Sequence, residues 1–279
     1  MDAVATASLI PASRRVSGRY NAVMRVISLQ SGSNGNCIYV EVRGVRLLID
    51  AGISGKQAKL RLANHGREIE AVDGLLISHD HSDHVRSAGI LSRKFGLPMH
   101  VTEKTLRTAN DYRPLGAIAD VRPFTAGATL RFDGVTVETI PTPHDGVDGV
   151  GFVIDDGRRR IGVLTDLGHV FGGLADVISS LDAVLIESNY DPNMLAEGPY
   201  PEFLKRRISG PGGHLSNLEA AELLAVSAGP RMQWACIGHL SETNNDPSVA
   251  LRTHREVLGE RLRLLSAGRS CESGVMEVV

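Results

Sequence analysis

Apolar positions come in short blocks through the first part of the chain. Residues 25–29 (RVISL), 37–42 (CIYVEV) and 46–50 (RLLID) are rich in aliphatic and β-branched side chains and are separated by turn residues, so each is read as a strand. Residues 56–66 (KQAKLRLANHG) switch to a helical spacing closed by Gly66. A buried strand is predicted at 74–78 (GLLIS), then a helix from about Asp83 to Phe95 and a short strand at 99–101 (MHV). Further strands are predicted at 121–124, 129–132, 135–140, 151–154, 160–165 and 182–188. The last third is more helical. Ser216 with Glu219 three residues on forms a capping-box pattern, with Leu218, Ala221, Leu224 and Ala225 on one face and Gly229-Pro230 as the stop. Asp246 caps a second helix, Pro247 takes its first position and Gly259 ends it. Strands and helices mix throughout without a repeat or a low-complexity linker, which predicts one α+β domain over residues 24–279. Residues 1–23 show neither periodicity nor the order of a signal peptide and are read as a flexible extension. Met24 is then a candidate start of translation, which the intact mass of the native protein tests.

Composition narrows the class. The 279 residues are 42% hydrophobic and 22% charged, ordinary for a globular chain long enough to bury a sizeable core. The formal charge of −2 argues against a strongly basic nucleic-acid-binding domain, though a site can be locally positive on a near-neutral protein. Three widely spaced cysteines, Cys37, Cys236 and Cys271, fit neither a disulfide framework nor a thiolate zinc site, and suit a reducing cytoplasm. No apolar run reaches the ~18 residues of a membrane helix, so no membrane partner is expected.

The chemistry concentrates at 74–85, GLLISHDHSDHV. In an extended loop His79 and His81 point the same way and can hold one metal together. Asp83 and His84 fall where a helix starts, turn to another side and can hold a second. So short a stretch cannot fill two coordination shells, and distant partners are required. His144, Asp166 and His239 each follow an apolar run, where a strand end delivers a polar side chain to a common edge. His65, His100, His169 and His254 lack that context and are read as core or surface residues. Five imidazoles and two carboxylates suit two divalent ions, Zn²⁺ first, with Mn²⁺ or Fe as rivals.

HDHSDH matches the H-x-H-x-D-H signature of the metallo-β-lactamase superfamily. SGSNGNC, LLIDAGISGKQ, TDLG, IESNYDPNML, GPYPEFLKRRISGPGGHLSN and GHLSETNN together resemble its YycJ/WalJ branch, from about Met24 to the C-terminus. The resemblance implies a four-layer αβ/βα sandwich with a dinuclear centre at one edge. It assigns His79, His81 and His144 to one metal, Asp83, His84 and His239 to the other, and Asp166 to a bridge. It implies a metal-dependent hydrolase, a phosphodiesterase and DNA exonuclease working 5′ to 3′ on duplex DNA, with a water held between the metals as nucleophile. Metal coordination lowers the pKa of water from ~15.7 toward ~7.

Around that centre, Asp83 is expected to ligate and to orient the nucleophile. His214 is the candidate general acid, in a segment similar to one of ribonuclease Z. Ser216, Asn217, Ser241, Asn244 and Asn245 offer uncharged donors suited to phosphate oxygens, although helix caps and turns use the same residues. SGSNGN at 31–36 is read as a tight turn, with a phosphate nest as the other reading. Lys205-Arg206-Arg207 and Arg158-Arg159-Arg160 are read as solvated faces. The alternatives are a small-molecule hydrolase of the same fold, acting on a cyclic phosphodiester, thioester or lactone, and a metal-bound regulator without turnover.

Overall fold

The computed structural model describes residues 23–279; the expectation of a flexible extension over 1–23 falls, but for Val23, outside the described residues. Two seven-stranded sheets face one another. The first is built from β1 (Met24–Gln30), β2 (Cys37–Val42), β3 (Val45–Ile49), β4 (Gly74–Leu76), β5 (Met99–Thr102) and β6 (Val121–Phe124), with β14 (Met276–Val278) returning to pair with β1. The second runs in order from β7 (Thr129–Phe132) through β8 (Val135–Pro141), β9 (Val150–Asp155), β10 (Arg160–Leu164), β11 (Ala183–Glu187) and β12 (Trp234–Gly238) to β13 (Arg263–Ser266).

Helices cover the outer faces, giving four layers in all. Against the first sheet pack α1 (Gly55–Asn64), α3 (Ala88–Phe95) and α4 (Glu103–Tyr112), with the one-turn α2 (Ser82–Val85) between α1 and α3 in the chain. Against the second pack α5 (Leu174–Ser179), α8 (Asn217–Ser227) and α9 (Pro247–Leu258). The short α6 (Pro192–Glu197) and α7 (Glu202–Ile208) lie between α5 and α8 in the chain. No helix among the described residues is long and apolar enough to cross a membrane.

The layering explains the near-continuous apolar strands. In β2, Ile38, Val40 and Val42 enter the core between the sheets, with Phe152, Leu185 and Trp234 from the second sheet, while Cys37 and Tyr39 join the layer under the helices. A strand covered on both sides has no polar face to show. Direction then places the site. β3 through β6 are parallel, as are β10 through β13. β8 is antiparallel to β9, and β9 to β10, so β8 runs the same way as β10. The C-terminal ends of β3 and β4, and of β8, β10, β11 and β12, therefore each gather at one edge of their sheet.

Two local expectations need correction. The single helix from Asp83 to Phe95 is interrupted at Arg86 and Ser87. The Asp83 carbonyl accepts from Asn36 N–H at 2.7 Å and the His84 carbonyl from Ala51 N–H at 2.6 Å, while Ser87 N–H donates to Ala51 O at 2.9 Å. Bonds to neighbouring loops thus replace the helical ladder. In α8 Ala221 and Leu224 are buried and Ala225 partly so, as expected, with Ala220 and Leu223 beside them, whereas Leu218 is 43% exposed. The Ser216–Glu219 capping box forms with both of its bonds, and the caps of α9 form as the sequence predicts.

Candidate metal centre

The polar residues arrive at the strand ends. His79 and His81 lie in the loop after β4, and Asp83 and His84 on α2. His144 follows β8, Asp166 follows β10, Glu187 ends β11 and His239 directly follows β12. Ligating atoms of His79, His81 and His144 lie within 4.8 Å of one another, and so do those of Asp83, His84 and His239. Asp166 stands between the groups, with Oδ1 3.5 Å from His144 Nε2 and Oδ2 3.2 Å from His84 Nε2. Of the four histidines set aside from the sequence, none joins these clusters among the described residues. His169 donates to Pro211 O, His254 to Ala250 O, and His100 packs on Phe132.

Supporting contacts fix two of the rings and one carboxylate. His84 Nδ1 donates to Asp50 Oδ2 at 2.7 Å, and Asp50 also accepts from Ser78 N–H and Oγ–H. His144 Nδ1 donates to Gly213 O at 2.7 Å, leaving Nε2 for the site. Asn36 Nδ2 donates to Asp83 Oδ2 at 3.2 Å, and Asn36 Oδ1 accepts from Gly32 N–H. The 31–36 segment is thus a turn, with Gly35 N–H bonded to Gly32 O. Asp50, Asp166 and His239 have φ of 64°, 56° and 54°, a left-handed conformation that non-glycine residues adopt at a cost of about 1–3 kcal/mol when surroundings impose it. Gly52 permits the closest approach of all: a Cβ there would stand 1.6 Å from Asp83 O.

Electrostatics divides the imidazoles. Burial pushes His79 well below the usual histidine range, helped by its neighbour His84. Burial acts on His84 in the same direction, but the carboxylates of Asp166, Asp50 and Asp83 outweigh it and hold that ring well above. His239 is raised to about 10, burial being overcome by Asp166, Asp83 and Glu187. Burial would raise Asp83 and Asp166, yet the surrounding histidines keep both well below the usual carboxylate range.

A divalent cation fits this donor set. His79 Nε2 and Asp166 Oδ2 are buried with no hydrogen-bond partner, His84 Nε2 being misaligned for one. Lone pairs left bare at that depth are costly. Imidazole and carboxylate without thiolate suit borderline and hard divalent ions.

Sequence reasoning passed over Asp50, Glu187 and Asn36. Glu187 Oε1 accepts from His214 Nδ1 at 2.6 Å, and Oε2 from Leu167 N–H at 2.8 Å. The signal was present: Asp50 and Glu187 each close an apolar run, the same cue that located His144, Asp166 and His239. His214 lines a cleft of about 370 Å³ with Asp83, Asp166, His239 and Ser241. The other expected phosphate donors are structural. Ser216 caps α8, and Asn217 and Asn245 bond one another and Ser188. Asn244 is fully buried, its N–H bonded to Ser241 Oγ. Their donors are engaged in holding loops, away from the cleft lining. Arg160 pairs with Glu138 and Asp155.

A family model described as "Beta-lactamase superfamily domain" matches residues 45–234. This chain belongs to the metallo-β-lactamase superfamily. Within it the chain is 37% identical to an exodeoxyribonuclease WalJ of Streptococcus pneumoniae over 229 residues, covering 81% of this chain and 84% of that protein. It is 34% identical to an exodeoxyribonuclease YycJ of Bacillus anthracis over 235 residues, 84% and 88% of the two chains. These relatives place it in the YycJ/WalJ branch. The crystal structure of the metallo-β-lactamase fold protein YhfI from Bacillus subtilis superposes with a TM-score of 0.70 at 16% identity, over 91% of this chain and 99% of that one. A metallo-β-lactamase fold with these His and Asp clusters makes the strand-end site one for divalent metal ions.

Proposed function

We propose that this chain is a metal-dependent phosphodiesterase that removes nucleotides from DNA ends, 5′ to 3′ on duplex DNA. The observation that carries the reading is the convergence of the metal donors and the His214–Glu187 pair on one cleft, in a chain so like exodeoxyribonucleases WalJ and YycJ. His79, His81 and His144 would hold one ion, Asp83, His84 and His239 a second, and Asp166 both, with Zn²⁺ as the leading candidate and Mn²⁺ or Fe as rivals. Such ions supply Lewis acidity, stabilising phosphoryl charge and lowering the pKa of water toward ~7.

The chain's own groups perform the remaining work. Asp83 faces the cleft, held by Asn36, and orients the attacking water. Glu187, lowered to about 2 by His214 and His239 against the effect of burial, stays ionised and holds His214 by Nδ1. With Nδ1 tied to Glu187, His214 has Nε2 free to give a proton to the departing oxygen. Ser241, at the cleft wall, is the remaining candidate among the uncharged donors for a phosphate oxygen. The three free thiols, two of them buried, fit a cytoplasmic setting.

Metal-quantified protein incubated with end-labelled duplex DNA, single-stranded DNA, structured RNA and bis(p-nitrophenyl) phosphate tests this, in Zn²⁺ and in Mn²⁺. Stepwise loss from 5′ ends is expected, and its absence in Asp83→Ala. Cleavage of the small diester alone would move the natural substrate to a small molecule. Activity persisting in Asp83→Ala would overturn the metal assignment.

A further inference from the structure

A second cavity, of about 350 Å³, lies beside the metal cleft and is lined by Asp80, His81, Ser82, Arg86, Tyr112 and Arg113 among others. His81 and Ser82 also line the cleft, so the two spaces meet at the start of α2. An ion pair marks the seam: Asp145 lines the second cavity, Arg207 lines the cleft, and they join at 2.7 Å (Nε to Oδ2) and 3.1 Å (Nη2 to Oδ1).

The walls are built. Asp80 Oδ1 accepts from Val147 N–H at 2.6 Å, and Thr105 Oγ donates to Val147 O at 2.7 Å. Arg93 Nη1 donates to the carbonyls of Leu115 and Ala117, and Asn110 Oδ1 accepts from Leu115 N–H. Both acids in the cavity are thereby engaged, Asp80 by backbone and Asp145 by Arg207. At the end of α4, Tyr112 is 83% exposed, a ring that contributes nothing to either core layer. An exposed ring flanked by arginines is what a nucleotide requires, since every base has a face to stack and every phosphate a charge to neutralise.

Arg86 Nη2 donates to Asn34 O, while Arg113 stands exposed beside Tyr112. We propose that this cavity is the subsite for the terminal nucleotide of the strand being degraded, its base on Tyr112 and its phosphate toward Arg113. The inference rests on the nuclease reading above and adds where the end of the substrate sits. The phosphodiester linking that nucleotide to the rest of the strand crosses the seam at His81 and Ser82 and enters the metal cleft. Arg207 keeps its fork on Asp145 at this seam, so that carboxylate does not meet the phosphate uncompensated. The volume is at the lower end of small-ligand clefts, which run from about 300 to 1,000 Å³. It admits one nucleotide and no base pair, so the terminal pair opens before cleavage and one nucleotide leaves per turnover.

Steady-state kinetics on end-labelled duplex DNA and on bis(p-nitrophenyl) phosphate, with product sizing, test it. Tyr112→Ala should raise KM for DNA by about 5- to 150-fold, the range of a lost base–ring stack, and lower the preference for DNA over the diester by the same factor. Tyr112→Phe, which keeps the face, should restore the DNA KM. The label should leave as a mononucleotide. Three results would overturn the subsite: an unmoved DNA KM in Tyr112→Ala, equal losses on DNA and diester, or release of pieces of two or more nucleotides. Failure of the unaltered protein to cut any DNA would instead remove the nuclease reading, and the subsite with it.

Discussion

Glu187 is fully buried at the end of β11 and touches three things at once: His214, His239 and the Leu167 amide. A carboxylate in that position accepts from His214 Nδ1 and fixes how the ring is turned. Glu187→Gln keeps the shape and removes the charge, so kcat on DNA should fall about 10- to 100-fold, as for comparable supporting residues in metal sites. His214→Ala should cost more, about 100- to 10,000-fold in kcat, if proton delivery limits the step. Metal content measured alongside separates the two roles: His214→Ala with full metal and full kcat would remove it from the reaction. At the same scale His100 carries a pH dependence. Burial, then the Arg122 charge, lowers it to about 4, while an unfolded chain titrates near 6.5. Between those values the unfolded state binds the proton and the native state does not. Stability is therefore full above pH 6.5 and declines as pH falls toward 4. Urea midpoints at pH 7 and pH 5 should drop for the unaltered protein and drop less for His100→Leu.

At the scale of elements, the cap of α8 has a measurable share of stability. Ser216→Ala breaks the capping box and should cost about 1 kcal/mol in urea unfolding. Loss of DNA cleavage without loss of stability would return Ser216 to the substrate. What was legible in the chain follows from where information is local. Caps such as Ser216 and Asp246 depend on neighbours in sequence, and β2 or β12 on an apolar run, so these read directly. The break at Ser87 depends on Asn36 and Ala51, far away in the chain, and no periodicity carries it. On α8 Ala221, Leu224 and Ala225 pack inward as expected, and only Leu218 was misplaced, because a helix this rich in Leu and Ala offers more than one apolar face. Among site residues, histidines in an uncommon cluster announced themselves, while Asp50 and Glu187 looked like ordinary ends of strands. Asn217 and Asn245 looked like phosphate donors because a buried amide network and a polar binding wall use the same side chains.

The molecule as a whole is two sheets facing each other, and the proposed metal donors are divided between them. His79, His81, Asp83 and His84 belong to the first; His144, Asp166 and His239 belong to the second. Further ties join the halves: the core between the sheets, the return of β14 to β1, and backbone bonds from Ser31 to Gly268 and from Val150 to Ser78. Suppose the chain is severed between Phe124 and Thr129, where β6 ends and β7 begins. The first fragment retains six strands of the first sheet and the second retains the whole second sheet with β14, but neither retains a complete set of the donors proposed for either ion. Mixed together, they should recombine tightly when divalent ions are supplied and weakly under chelation, because whatever binds only the assembled form favours it by mass action. Recombination monitored by light scattering, equal with and without chelator, would show that the ions do not join the halves. Otherwise the severed protein becomes an ion-dependent switch for fragment reassembly, with its sensitivity set by the residues at the strand ends.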